Sequence, residues 1–172
     1  MNKFMNRPAK AQDSGEKPMG KMGGSYGRFA AMIATSTVIM YGLMYLNTYQ
    51  LDHIYFSQTR MWMALYMGAV MALIMLGYML NMYKNSRTNM GILIGSVAVF
   101  AGALYLVRAQ TTVGDVAWMK AMIPHHSIAI LTSERAQIKD PRVRELADGI
   151  IKAQVREIAE MKVLIADLES KK

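Results

Sequence analysis

The 172-residue chain is 53% hydrophobic and only 19% charged, carries 18 methionines and has a mean hydropathy of +0.14, which is too apolar for an ordinary soluble domain. Its formal charge of +8 would suit a nucleic-acid binder, but three long uncharged apolar runs fill the middle, so the lipid bilayer replaces nucleic acid as the expected partner and the basic residues become topology signals. The absence of cysteine excludes disulfides, thiolate catalysis, Cys-based zinc sites and iron–sulfur clusters, and leaves methionine as the source of any soft-metal ligand.

Residues 1–28 are rich in Gly, Lys, Pro and Ser and hold six Lys/Arg against two acids. They read as a disordered basic cytoplasmic tail, because so few large apolar side chains cannot offset the entropy of ordering. A three-span membrane domain is expected over 29–110, with spans at 29–46, 61–80 and 90–107, each close to the ~20 residues a bilayer core requires and none containing Lys, Arg, Asp or Glu. The first run starts too late and is too long for a cleavable signal, so it reads as a permanent anchor. Lys84 and Arg87 in the second loop join the basic tail on the cytoplasmic side, which places residues 111–172 outside. Tyr45, Tyr49, Tyr55, Trp62 and Tyr83 suit interfacial belts. His53 reads as a lone, solvated loop residue. Met63, Met67, Met71, Met75 and Met79 recur every four residues, either as a thioether ladder for a soft cation or, the commoner use, as adaptable apolar filler. Gly91, Gly95, Ala98 and Gly102 form a stripe that lets another helix approach.

Residues 113–138 and 142–170 both show helical apolar spacing, with Asp140 as a natural N-cap and Pro141 as a natural first helical residue between them. At 100° per residue the second helix turns Val143, Ala147, Ile150, Gln154, Ile158, Met161, Ile165 and Leu168 inward, with Glu157 about 60° from Gln154. The first presents Val116, Met119, Met122, Ile123, His126 and Ile130, with His125 turned about 100° away beside Trp118. In an antiparallel pair turning near residue 140, facing residues have numbers summing to about 280, which matches His126 with Gln154, Met119 with Met161 and Met122 with Glu157. Pro124 should kink the first helix and free the Lys120 carbonyl, opening room for an ion. So small a hairpin has little core of its own, so a second copy is expected to cover its inward faces, giving a homodimer or higher oligomer. If the third span runs straight on, His126 lies about 28 Å above the bilayer.

Asp115, Met119, the run Met122-Ile-Pro-His-His126 and Gln154-x-x-Glu157-Ile-x-x-x-Met161 resemble the bacterial domain of unknown function 305 family over about residues 112–168. The resemblance implies an all-α, ferritin-like half bundle in the bacterial envelope and, for some members, copper binding with a role in metal tolerance. Carried over, it points to Met119, Met122, His125, His126 and Met161 as ligands, with Gln154, Glu157 and Asp115 as alternative ligands or as groups hydrogen-bonding a ligand. Many relatives have a polar residue such as Gln after the second histidine, where this chain has Ser127.

Thioethers select monovalent copper or silver, whereas imidazole also suits zinc and divalent copper. His125 is either a further ligand or an exposed neighbour packed on Trp118. Against metal binding stands a simpler arrangement in which His126 and Gln154 hydrogen-bond across the hairpin and the methionines are core. A di-iron site needs Glu-x-x-His pairs, which are absent, and no catalytic constellation is visible, so no enzyme is expected. The expected function is an inner-membrane protein displaying a periplasmic copper site, in contact with copper-handling partner proteins. The rivals are a structural or assembly module, and a transporter resting on the methionine ladder.

Overall fold

The structure, a computed structural model, describes residues 22–171, which form five α-helices and no strand. They are α1 (Met22–Leu43), α2 (Gln58–Tyr78), α3 (Ser86–Ala109), α4 (Asp115–Arg135) and α5 (Pro141–Ser170), with a 3-10 turn at Leu51–His53 in the link between α1 and α2. Side-chain caps start three of the helices. Ser57 accepts from the Arg60 amide, Asn85 from the Thr88 amide, and Asp140 from the Arg142 amide directly before Pro141.

α2 packs against both α1 and α3. At one end Phe29, Ala72, Leu76 and Tyr83 form a buried cluster, and the Tyr26 hydroxyl donates to Asn89 Oδ1 at 2.8 Å, tying α1 to α3. These contacts explain why the described part of the segment expected to be a disordered tail is helical: Tyr26 and Phe29 gain aromatic partners in Tyr83. The rest of that tail, residues 1–21, lies outside the described residues.

α2 and α3 are long and apolar enough to cross a membrane, with mean hydropathies of 1.7 and 2.2. α1 falls short of that standard, because Arg28 lies within it and the helix ends at Leu43 rather than at 46. Its uncharged part covers only about 22 Å at 1.5 Å per residue and contains Thr35-Ser36-Thr37.

α3 does not run on into α4. Gln110 caps it in the left-handed region at φ 52°, with its side-chain amide donating back to the Val107 carbonyl at 2.6 Å. The chain then turns, and α4 restarts at Asp115 with its Trp118, Met122 and His125 side chains against the ends of α1, α2 and α3. The motif-bearing helix is therefore folded back onto the membrane-type helices, and the straight extension that would carry it about 28 Å away is not formed.

α4 and α5 run antiparallel, joined by Arg144 donating to the Ser133 carbonyl, His126 against Glu157 and Lys120 against Glu169. Met119, Ile123 and Ile130 pack with Ile158, Met161 and Ile165 in one buried cluster. Ala147, Ile158, Met161, Ile165 and Leu168 face inward as expected, but in the first half of α5 Ile151 joins the cluster whereas Val143 and Ile150 are exposed. α4 remains helical through the fully buried Pro124.

The tightest approach between α1 and α2 is at Gly68, where a Cβ would overlap the Thr37 hydroxyl. Thr37 is β-branched and its hydroxyl is bonded to the Ile33 carbonyl at 2.8 Å, so it has little freedom to move aside. Gly68→Ala is expected to destabilise the packed α1–α2 pair by roughly 1–3 kcal/mol, read as a lowered thermal midpoint of the detergent-solubilised protein. Gly77→Ala, where a Cβ meets open space, should change little.

Candidate functional site

The motif residues divide between two faces of α4. Met119 points into the Ile-rich cluster shared with Met161, both 5–6% exposed. Met122, which also packs against this cluster, and the exposed His125 line a cleft of about 500 Å³ with Trp118, Met44, Met63 and Gln110. Of the two readings of His125, it is exposed and shares this cleft with Trp118. Asp115 is exposed at the start of α4. The five expected ligands are thus not brought together in one place.

His126 lies on the α5-facing side with Met119, and both of its ring nitrogens meet oxygen. Nδ1 is 3.0 Å from the Met122 carbonyl and Nε2 is 2.8 Å from Glu157 Oε2. A carbonyl only accepts, so Nδ1 carries a proton, and the Nε2–carboxylate bond holds a second one between ring and Glu157. The histidine side chain is 14% exposed and that of Glu157 40%. A metal ion could take Nε2 only by displacing or sharing Glu157. The expected His126–Gln154 pair is replaced by His126–Glu157, three residues further along α5. Gln154 instead lines an outer surface groove with Leu146, Gly149 and Ile150.

Sequence reasoning missed what holds the other side of α4. Ser127, 0% exposed, accepts the Tyr49 amide on Oγ at 2.7 Å and meets His53 Nδ1 at 2.9 Å. His53 is 6% exposed, not solvated. The network assigns the neutral tautomer with hydrogen on Nε2, which faces Asp52 Oδ1 at 3.8 Å. Asp52 pairs with Lys162 of α5 at 2.5 Å, and Tyr49 and Tyr55 pack on the α4–α5 cluster. The link between α1 and α2 therefore covers part of the helical pair, a role the sequence reading gave to a second copy. A short polar residue after two histidines, opposite a loop of tyrosines, was the available signal.

Among the described residues no three His, Asp or Glu side chains converge as a metal site. Electrostatics instead favour an uncharged His53: burial pushes its imidazole below the usual histidine value, Asp52 opposes this and Lys162 adds to it. The Lys162 ammonium in turn holds the Asp52 carboxyl below the usual carboxylate range.

The fold and site define an all-helical protein with two helices apolar enough to cross a membrane and a packed helical pair bearing Met and His. Residues 100–169 match the model of the DUF305 family, a domain of unknown function, and the chain belongs to that family. An uncharacterized protein of Acanthamoeba polyphaga mimivirus is 37% identical over 102 residues, which cover 55% of this chain and 67% of the viral one. No solved structure matches the chain.

Ser127→Ala would strand the Tyr49 amide and His53 Nδ1, and an expected loss of about 1–3 kcal/mol should appear in thermal or denaturant unfolding. With the folded-state value of His53 depressed, the unfolded chain takes up the proton first, so stability should fall as pH drops through about 6.5. His53→Gln should flatten the difference in thermal midpoint between pH 7.5 and 5.5. The Asp52 contribution is lost in a separate window, as pH falls below about 4.

Proposed function

We propose that this protein is a membrane-anchored binder of soft metal, taking monovalent copper or silver, in copper handling or tolerance. The observation that supports this best is the placement of Met122 and His125 side by side on an accessible cleft, while Met119 and Met161 are packed in the interior. A thioether and an imidazole together suit a monovalent soft ion, whereas an imidazole alone would equally take zinc or divalent copper. Of the residues the family resemblance brings forward, Met122 and His125 fit a metal as they stand. His126 fits only if Glu157 yields its nitrogen.

In this reading α1, α2 and α3 all cross the inner membrane of a bacterium, the N-terminus and the Lys84–Arg87 loop are cytoplasmic and α4–α5 lie in the periplasm. The protein acts by holding an ion and yielding it to copper-handling partners, without catalysis. A second copy covers the outer face of α5, where Val143, Leu146 and Ile150 are exposed. Mass measurement of the solubilised protein should return a dimer, and a monodisperse monomer would remove that part of the reading.

A second reading, an assembly module without metal, draws on one contact: the His126–Glu157 bond ties α4 to α5 with no ion required. Titrating the detergent-solubilised full chain with monovalent copper against a chelator separates the two. The metal reading expects stoichiometric binding, weakened about tenfold or more by Met122→Leu or His125→Ala, with His126→Ala lowering the thermal midpoint more than the affinity. No binding by a folded chain would leave the assembly reading.

A further inference from the structure

The cleft in front of Met122 and His125 is not made by α4 alone. Its opposite wall comes from the ends of the membrane-type helices and carries Met44, just beyond α1, and Met63, in the second turn of α2. We infer that Met44 and Met63 complete the soft-cation site, so that the ion is held between α4 and the helical membrane domain by three thioethers and one imidazole. This rests on the reading of the protein as a soft-metal binder and specifies where the ion sits and what else holds it.

Three features support the assignment. First, Gln110 folds α4 back so that its Met122–His125 face meets residues far away in sequence, which a hairpin standing clear of the membrane domain could not do. Second, the cleft measures about 500 Å³, larger than a bare ion, so its donors must converge on the cation. Methionine, unbranched and with three rotatable bonds, is the side chain best able to do so. Third, no carboxylate lines the cleft, and its one permanent charge is cationic. That charge, Arg60, is already engaged, with its guanidinium carbon 4.5 Å from the Tyr45 ring centroid and Nη1 donating to the Met44 carbonyl at 2.7 Å. Such surroundings oppose a hard or doubly charged ion and leave thioether coordination of a singly charged one as the favourable chemistry. The Arg60–Met44 bond also fixes the backbone from which the Met44 side chain reaches the cleft.

The test uses the full chain in detergent micelles and silver ion, which has the same soft preference and no accessible redox change. Affinity is measured by chelator competition for the native chain and for Met44→Leu, Met63→Leu and the double variant, changes that conserve volume and should leave the thermal midpoint nearly unmoved. In the native chain a second readout is protection of individual methionines from peroxide oxidation, scored by mass spectrometry. The expected result is at least about tenfold weaker binding in the double variant, and silver-dependent protection of Met44, Met63 and Met122 but not of exposed Met82. Binding that is unaltered in the double variant, with Met44 and Met63 unprotected, overturns the inference and leaves the broader metal reading standing. Absence of silver binding by the native chain overturns both.

Discussion

The turn at Gln110 decides where everything after it goes. One non-glycine residue in the left-handed region, held by its own side chain on the Val107 carbonyl, stops α3 and sends the next helix back along the ends of the first three. Without that reversal the last sixty residues would form a rod joined to the membrane-type helices at one point. With it, α4 gains two different neighbours: α5 on one face, and the helix ends with the α1–α2 link on the others. A cation site shared between the two parts of the chain, and the covering of the helical pair by its own loop, are both consequences of this bend.

The division of labour on α4 follows from its 3.6-residue periodicity. Met119, Ile123 and Ile130 recur toward α5, Trp118, Met122 and His125 toward the cleft, and Ser127 toward the loop. Pro124 sits among them fully buried and supplies no amide to the Lys120 carbonyl. His126 shares the α5-facing side with Met119 and Ile130 and so reaches Glu157, while His125, its neighbour in sequence, is turned about 100° away toward the cleft.

Long-period features were readable from the sequence. Hydropathy located α2 and α3, the Asp140–Pro141 pair marked the start of α5, and the antiparallel register brought Met119 and Met161 into one cluster. What escaped was set by single-residue geometry and by contacts between distant segments. A hydropathy average does not register where a helix of Thr, Ser and Gly actually stops, so α1 was drawn too far. A residue that ends a helix without being glycine gives no local signal, so the reversal at Gln110 was missed. Gln154 and Glu157 are only about 60° apart on α5, and reaching the second rather than the first changes the chemistry of the His126 contact from amide to carboxylate. The burial of His53 depends on Ser127, seventy-four positions away, a separation over which periodicity carries no information.

Ser127 also says something about size. It has no exposed surface, accepts the Tyr49 amide and turns its hydroxyl hydrogen to His53 Nδ1, so its surroundings are fitted to a hydroxymethyl group. A glutamine at the same place would push the Tyr49 strand of backbone and the His53 ring outward, uncovering Tyr55 and separating Asp52 from Lys162. The small hydroxyl after the histidine pair is therefore matched, in this chain, to a loop that wraps the helical pair closely.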